Sequence, residues 1–192
     1  MSLVPRAGLN QAAVVAAGAA LADEVGLAGL TMGSLAERVG VRTPSLYKHV
    51  GGQDDLNRRI AALALNQAAD AVGSAVQGYA GRDALAAAAR AFRAFVLEHP
   101  GRYAATIGME PSGPDDPLAT AGRRLHDVFT AVLRGYEIAE SDVDHALRML
   151  RSLCHGFATL QAGNAFQWSA DIDESFEWLI AFADQGLRAV RH

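Results

Sequence analysis

Helix breakers recur along this chain at spacings that leave room for helices and for little else. Gly26, Gly40, Gly51-Gly52, Gly78 and Gly81, His99-Pro100, the run Pro111-Ser-Gly-Pro-Asp-Asp-Pro117 and Gly163 divide it into segments with helical hydrophobic spacing. No strand-like alternation of useful length lies between them, and there is no internal repeat. About a fifth of the residues are alanine, the best helix former. The expectation is an all-α fold of about nine helices. Hydrophobic residues make up 51% of the 192 and charged residues 20%, which supplies a sizeable core and excludes a disordered chain.

Local signals set the segment ends. Asn10 is a candidate N-cap for a helix that reaches about Val25, with Val14, Gly18, Leu21 and Val25 on one face. Thr31 caps a short helix ending at Val39. Thr43-Pro44 reads as the N-cap and first residue of a third, which ends near Val50. A long helix follows over 53–76, with Asp54 and Asp55 at its positive end. Further helices are expected over 82–98, 102–109 and 118–136. Ser141-Asp142-Val143-Asp144 resembles a capping box opening a helix that runs to about Gly163, and Asp171 opens the last, to about Val190. These segments group as a three-helix N-terminal domain, 1–52, joined by the long helix to a helical remainder, 53–192.

A net charge of −4 rules out a surface built throughout for nucleic acid, so any such site is local. The single cysteine, Cys154, excludes an internal disulfide framework and fits a reducing compartment. No run reaches the roughly eighteen apolar residues of a membrane span. Residues 1–10 carry Pro5 and Arg6 but no long apolar stretch. The expectation is a soluble, cytoplasmic protein with no membrane partner.

Residues 31–50 read Thr-Met-Gly-Ser-Leu-Ala-Glu-Arg-Val-Gly-Val-Arg-Thr-Pro-Ser-Leu-Tyr-Lys-His-Val. The pattern is a helix-turn-helix. Leu35 and Val39 give the first helix an apolar face, Ala36 permits a close crossing, and Gly40 suits the tight turn. Val41 and Leu46 anchor the second helix. Arg42, Thr43, Ser45, Tyr47, Lys48 and His49 are left facing outward, and Lys48 is the only lysine among 17 basic residues. Such a helix can enter a DNA major groove while neighbouring hydroxyls and cations hold phosphates. The same spacing also fits an ordinary helical hairpin with a solvated polar face.

The motif is more specific than its spacing. Gly-Leu-Ala-Gly-Leu-Thr at 26–31, Leu-Ala-Glu-Arg-Val-Gly-Val at 35–41 and Ser-Leu-Tyr-Lys-His-Val at 45–50, followed by an acidic pair and Leu56, resemble the DNA-binding domain of the TetR family of transcriptional regulators. The resemblance implies a double-stranded DNA operator as partner. It puts Arg42, Thr43 and Ser45 where the family reads bases or clamps phosphates, and Tyr47 and His49 where it holds the backbone, with Lys48 beside both. Thr31 caps a helix whose N-terminus commonly faces a phosphate. The chain departs from the family where Val50-Gly51-Gly52-Gln53 stands in place of the frequent Phe-Pro-Ser-Lys. That removes one lysine contact and weakens the expected cap of the long helix. Residues 1–60 hold six basic side chains against five acidic ones, so phosphate binding is expected to be modest and salt-sensitive. Arg6 is available for an added groove or backbone contact, or is simply solvated.

For the rest of the chain the resemblance implies a homodimer built by the last two helices, and a small-molecule effector held among the middle ones. Val143, Leu147, Leu150, Cys154 and Phe157 form one stripe, widened by Met149, Leu153 and Leu160. Ile172, Phe176, Leu179, Ala183 and Leu187 form another, flanked by Trp178, Ile180 and Phe182. Stripes this wide fit either an interface, with Leu150, Cys154, Phe157, Ile172, Phe176, Leu179 and Ala183 at its centre, or helices buried on two sides. The Cys154-His155-Gly156-Phe157 segment resembles the Trp-His-Gly type of C-terminal domain, with cysteine replacing tryptophan. Phe92, Phe95, Tyr103, Ile107, Met109, Phe129, Leu133, Met149 and Leu153 are available to line a mostly apolar effector pocket, or are plain core. His126, His145, His155 and Arg151 are candidate polar contacts.

The competing classes are an all-α enzyme and a protein-binding adaptor. A di-iron bundle needs paired Glu-x-x-His motifs, whereas the chain offers a single Asp142-x-x-His145. Zinc spacings, nucleophile motifs and phosphate-cradling loops are also missing from the sequence. No metal and no cofactor is expected, and Cys154 reads as an apolar filler. An adaptor would keep the apolar stripes but have no use for Arg42, Thr43, Tyr47 and Lys48. The sequence therefore predicts a DNA-binding regulator, and the resemblance implies a repressor released by its effector.

Overall fold

The computed structural model describes residues 9–190. Those residues form nine α-helices and no strand: α1 (Gln11–Val25), α2 (Met32–Val39), α3 (Thr43–Leu46), α4 (Gln53–Ala75), α5 (Gly81–Glu98), α6 (Pro100–Ala104), α7 (Pro117–Leu133), α8 (Val143–Ala162) and α9 (Ile172–Ala189). Three short 3-10 turns lie at Leu27–Gly29, Arg134–Tyr136 and Glu140–Asp142. The helices belong to two compact units. One consists of residues 9–65 with His99–Ala121, the other of Asn66–Glu98 with residues 122–190. The first unit thus extends past the boundary expected at 52, and takes in a later segment that the sequence reading places with the remainder.

Local chemistry fixes the ends of the first unit's helices. The Asn10 side chain accepts from the Ala13 N–H at 2.8 Å. Thr31 and Ser34 form a reciprocal capping box on α2, and Gly40 ends that helix in the left-handed region at φ 71°. Leu35, Leu46, Leu56, Ile60 and Val14 are fully buried in the core. Val25, expected on the buried face of α1, is exposed at the helix end.

Residues 99–121 join this unit through specific contacts. A Cβ on Gly101 would lie 1.8 Å from the Ala22 carbonyl oxygen, so α6 runs against bare α1 backbone. Asp23 accepts from the Arg102 backbone N–H at 2.8 Å and from its Nε at 2.7 Å. Ala105, Leu118 and Ala121 complete the core. The helix expected over 102–109 is the shorter Pro100–Ala104. Proline is tolerated in the first turn, where an N–H has no helical partner to lose. The chain then leaves the helix through a tightened turn, Thr106 N–H to the Tyr103 carbonyl and Ile107 N–H to that of Ala104.

The proline-rich loop after α6 is closed by Asp116. Its carboxylate accepts from Ser112 N–H, Ser112 Oγ and Leu118 N–H, the last capping α7. Arg58 of α4 donates to the same carboxylate at 2.9 Å and to the Glu110 carbonyl at 2.8 Å. The backbone N–H of Ser112, then that of Leu118, hold the Asp116 carboxyl well below the usual carboxylate range.

In the second unit α5, α8 and α9 pack together around Phe176, Leu150, Ile180, Leu187 and Val96. α9 begins as expected, with Asp171 accepting from Glu174 N–H at 2.9 Å. The capping box expected at Ser141–Asp144 does not form. A 3-10 turn occupies Glu140–Asp142, and the Ser141 hydroxyl reaches only the Asp142 carboxylate. α7 likewise stops at Leu133, short of the expected end at 136, where the chain tightens into the turn that carries Tyr136. The Tyr136 hydroxyl donates to Asp184 at 2.7 Å, and Arg188 donates to the same carboxylate. Desolvation acts to raise the Asp184 carboxyl, but the hydrogen bonds from Arg188 and Tyr136 outweigh it and hold the group low.

Candidate nucleic-acid interface

The helix-turn-helix is held by backbone bonds and buried apolar anchors, which leaves its polar side chains outside. Val41 N–H bonds the Ala36 carbonyl across the Gly40 turn. Leu46 and Val50 are buried. α3 is four residues long and ends at Leu46, and its cap is Arg42 rather than the expected Thr43, with Thr43-Pro44 forming its first turn. The regular helix ends at Leu46 instead of continuing to Val50. Residues 47–49 form a tight turn in which the His49 and Val50 N–H groups both reach the Leu46 carbonyl.

On this frame Thr31, Arg42, Lys48 and Tyr47 are exposed, Tyr47 by 56%. Thr43, Ser45 and His49 are half-buried beside them. Of the seven residues singled out by sequence, Thr31 therefore caps α2, and the other six lie at the cap of α3, on α3 or in the turn after it. The Thr31 hydroxyl is already engaged in the capping box. Arg6 lies outside the described residues.

The departure at Val50-Gly51-Gly52-Gln53 has its own local solution. The Asp55 carboxylate accepts from Gly51 N–H at 2.8 Å and from Arg59 Nε at 2.8 Å. These bonds hold that carboxyl low, the Arg59 bond first, and close the start of α4 without the family's usual residues. Gln11, a residue the sequence reading did not single out, donates from Nε2 to the His49 carbonyl at 3.0 Å. Only tertiary structure reveals that pair, since 38 positions separate the two residues and no local pattern links them.

The effector candidates divide between the units. Tyr103 is buried, Ile107 exposed, and Met109 packed against the core of the first unit. Phe92, Phe95 and Leu133 are buried in the second unit, with Phe129, Met149 and Leu153 half-buried. Phe92 and Phe129 meet edge to face with ring centroids 6.0 Å apart. His126 and His145 are exposed. His155 is half-buried, and desolvation and then Arg151 push its imidazole down. The second unit also has a cavity of about 350 Å³ lined by Leu97, Gln161, Asn164, Phe166, Gln167 and Ile172. Only Ile172 among these was expected at a functional surface.

The interface stripe needs correction. Phe176, Ala183, Leu150 and Cys154 are buried within the chain itself and have no surface to give a second copy. Phe157 is half-buried, its ring 4.9 Å from that of Phe176 and 4.8 Å from that of Phe166. Ile172 and Leu179 are half-buried. Of the residues expected at the margins of the two stripes, Trp178 is exposed by 73%, Phe182 by 57% and Leu160 by 50%, whereas Ile180 is buried and Met149 and Leu153 are half-buried. Cys154 is a core thiol, pushed up to about 12 by desolvation.

Among the described residues no group of three or more His, Cys, Asp or Glu side chains could hold a metal ion, and no helix is long and apolar enough to cross a membrane.

Comparison with known proteins defines the class. Residues 14–60 match the bacterial regulatory proteins of the tetR family, and residues 85–183 match the tetracyclin repressor-like C-terminal domain. The chain is 34% identical over 185 residues to YobS of Bacillus subtilis (strain 168), an uncharacterized HTH-type transcriptional regulator, covering 95% of each protein. Two solved structures share the fold. A single-residue variant of TetR from Acinetobacter baumannii AYE, in complex with minocycline, superposes with a TM-score of 0.74 at 23% identity, over 96% of this chain and 99% of that one. BioQ with its double-stranded DNA operator superposes at 0.72 and 24%, over 95% and 99%. The chain belongs to the TetR family. It is a helix-turn-helix, DNA-binding transcriptional regulator and not an enzyme.

Proposed function

We propose that this regulator is a homodimeric repressor that reads its operator with α3 and the turn after it, and that a small, mostly apolar effector releases it. The observation that carries the reading is the outward presentation of Arg42, Tyr47 and Lys48 above buried Leu46 and Val50. In the major groove Arg42, Thr43 and Ser45 meet base edges or adjoining phosphates, while Tyr47, Lys48 and His49 hold the backbone and Thr31 marks a phosphate at the start of α2. These residues fall within 1–52, the DNA-binding domain. The operator-bound BioQ supports this use of the fold.

The remainder, 53–192, carries dimerisation and effector binding. Trp178 and Phe182 stand one helical turn apart on α9 with near-parallel rings, centroids 6.1 Å apart, and Leu160 is exposed on α8. Large exposed apolar side chains of this kind mark an association surface, here for a second copy. The effector is held by Phe92, Phe95, Phe129, Leu133, Met149 and Leu153, a reading that the minocycline complex of the Acinetobacter protein supports. It binds better to the DNA-incompetent arrangement and shifts the population toward it. The protein acts in the cytoplasm, beside its DNA.

Fluorescence anisotropy on DNA from upstream of the protein's own gene tests this. The expected result is preference over a scrambled duplex, affinity that falls with salt, and loss in the Arg42→Ala/Lys48→Ala variant. Equal affinity of the wild type and that variant would overturn the assigned surface. No binding by effector-stripped protein would favour the adaptor class.

A further inference from the structure

The turn that follows α3 is closed from within by the His49 and Val50 N–H groups, which both bond the Leu46 carbonyl. Leu46 and Val50 are buried at its two ends, while Tyr47 and Lys48 project between them and residues 47–49 lie outside the regular helix. A side chain from elsewhere in the chain reaches this turn: Gln11 Nε2 donates to the His49 carbonyl oxygen at 3.0 Å. Gln11 is itself well held. It is the first residue of α1, directly after Asn10, whose side chain caps that helix and whose carbonyl accepts from Val14 N–H at 3.0 Å. α1 is in turn fixed to the core by Val14, which is fully buried.

We propose that Gln11 is a positioning residue for DNA binding, which sets the Tyr47–His49 turn through the His49 carbonyl without itself being required to touch DNA. The inference rests on the assignment of Tyr47, Lys48 and His49 as backbone-holding residues. A peptide carbonyl held from outside limits rotation of the 49–50 peptide unit, and with it the directions in which the preceding side chains point. Without the bond the turn samples more orientations, and DNA binding must supply the ordering. Each subunit of a dimer carries one such bond, so its loss enters operator affinity twice.

Gln11→Met tests the idea, since it keeps the length and neutrality of the side chain and removes the donor. The expected result is operator affinity lowered roughly tenfold for the dimer, with thermal stability and dimer mass unchanged. Amide hydrogen exchange in the free protein should rise at residues 47–50 and nowhere else in the first unit. The decisive measurement is a double-mutant cycle with Tyr47→Phe/Lys48→Met. If Gln11 acts through this turn, Gln11→Met has little further effect in that background. An equal loss in both backgrounds would overturn the proposal, as would wild-type affinity in the single variant. Wild-type protein that fails to bind the upstream duplex would instead overturn the DNA-contact reading on which the proposal rests. Operator binding by the wild type with unchanged exchange at 47–50 in Gln11→Met would remove the clamp alone.

Discussion

The helix-turn-helix and the α8–α9 pair use amphipathic helix in opposite ways. Around α2 and α3 the anchors Met32, Leu35, Ala36, Leu46 and Val50 are buried with Val39 and Val41 packed against them, and the remaining side chains are mostly polar and exposed or half-buried. Its ends are fixed by backbone and cap bonds within a few residues, such as Thr31 with Ser34 and the Gly40 turn. On α8 and α9 apolar residues cover more than one face. Part of that surface is spent within the chain, on Phe176, Ile180, Leu150 and Leu187, and part is left outside, at Trp178, Phe182 and Leu160. Where a helix has one apolar face, burial is implied by spacing. Where it has two, spacing shows that both exist and not which one meets its own chain.

The largest effect that can break this contrast is at Phe176. Phe176→Arg places a charge where the side chain is fully buried and the Arg93 guanidinium already lies 4.7 Å from the ring centroid. The second unit should lose at least about 4 kcal/mol of stability, read as a collapse of the thermal transition rather than as a folded monomer. Next comes the outer face. Trp178→Glu with Phe182→Glu should leave the helical circular dichroism unchanged and shift sedimentation from dimer to monomer, weakening association roughly a hundredfold or more. A dimer of unchanged strength would remove α9's outer face from the interface.

The surface of the first region should behave differently again. Tyr47→Ala should weaken operator binding about tenfold with no change in melting temperature, because the residue is exposed and supports no core. The smallest effect concerns pH. Because the Asp116 carboxyl is held low in the folded chain, the stability it contributes is fully present above the ordinary aspartate value of about 4. That contribution is lost as pH falls through the lowered folded value. Asp116→Asn removes this dependence, so the difference in melting temperature between variant and wild type should be constant from neutral pH to about 4 and narrow progressively below it. A difference that stays constant below that pH as well would show that the carboxylate's charge is not what ties the loop to α4.

Much of this was legible without coordinates, where the physics is local. Asn10, Thr31, Gly40 and Asp171 act on neighbours within a few residues, so type and spacing were enough to place the ends of α1, α2 and α9. The outward set from Arg42 to His49 followed from its alternation with Leu46 and Val50. Local reasoning failed where two local solutions competed. Ser141 and Asp144 have capping spacing, yet the chain takes a 3-10 turn there. Thr43 can cap a helix, yet the cap falls one residue earlier, at Arg42.

By itself the sequence determined an all-helical chain, its breakers, the helix-turn-helix with its polar face, and through these motifs the family. Each of these depends on interactions spanning a few residues. Tertiary structure alone decided that His99–Ala121 belongs with the first unit, through Asp23 with Arg102, Arg58 with Asp116, and the bare backbone at Gly101 against Ala22. It also decided that Phe176 turns inward while Trp178 and Phe182 stay outside, and that Gln11 reaches the His49 carbonyl. The physical reason is that hydrophobic burial has no direction along the chain. Periodicity reports how much apolar surface a helix must cover, and only the packed fold specifies which partner covers it.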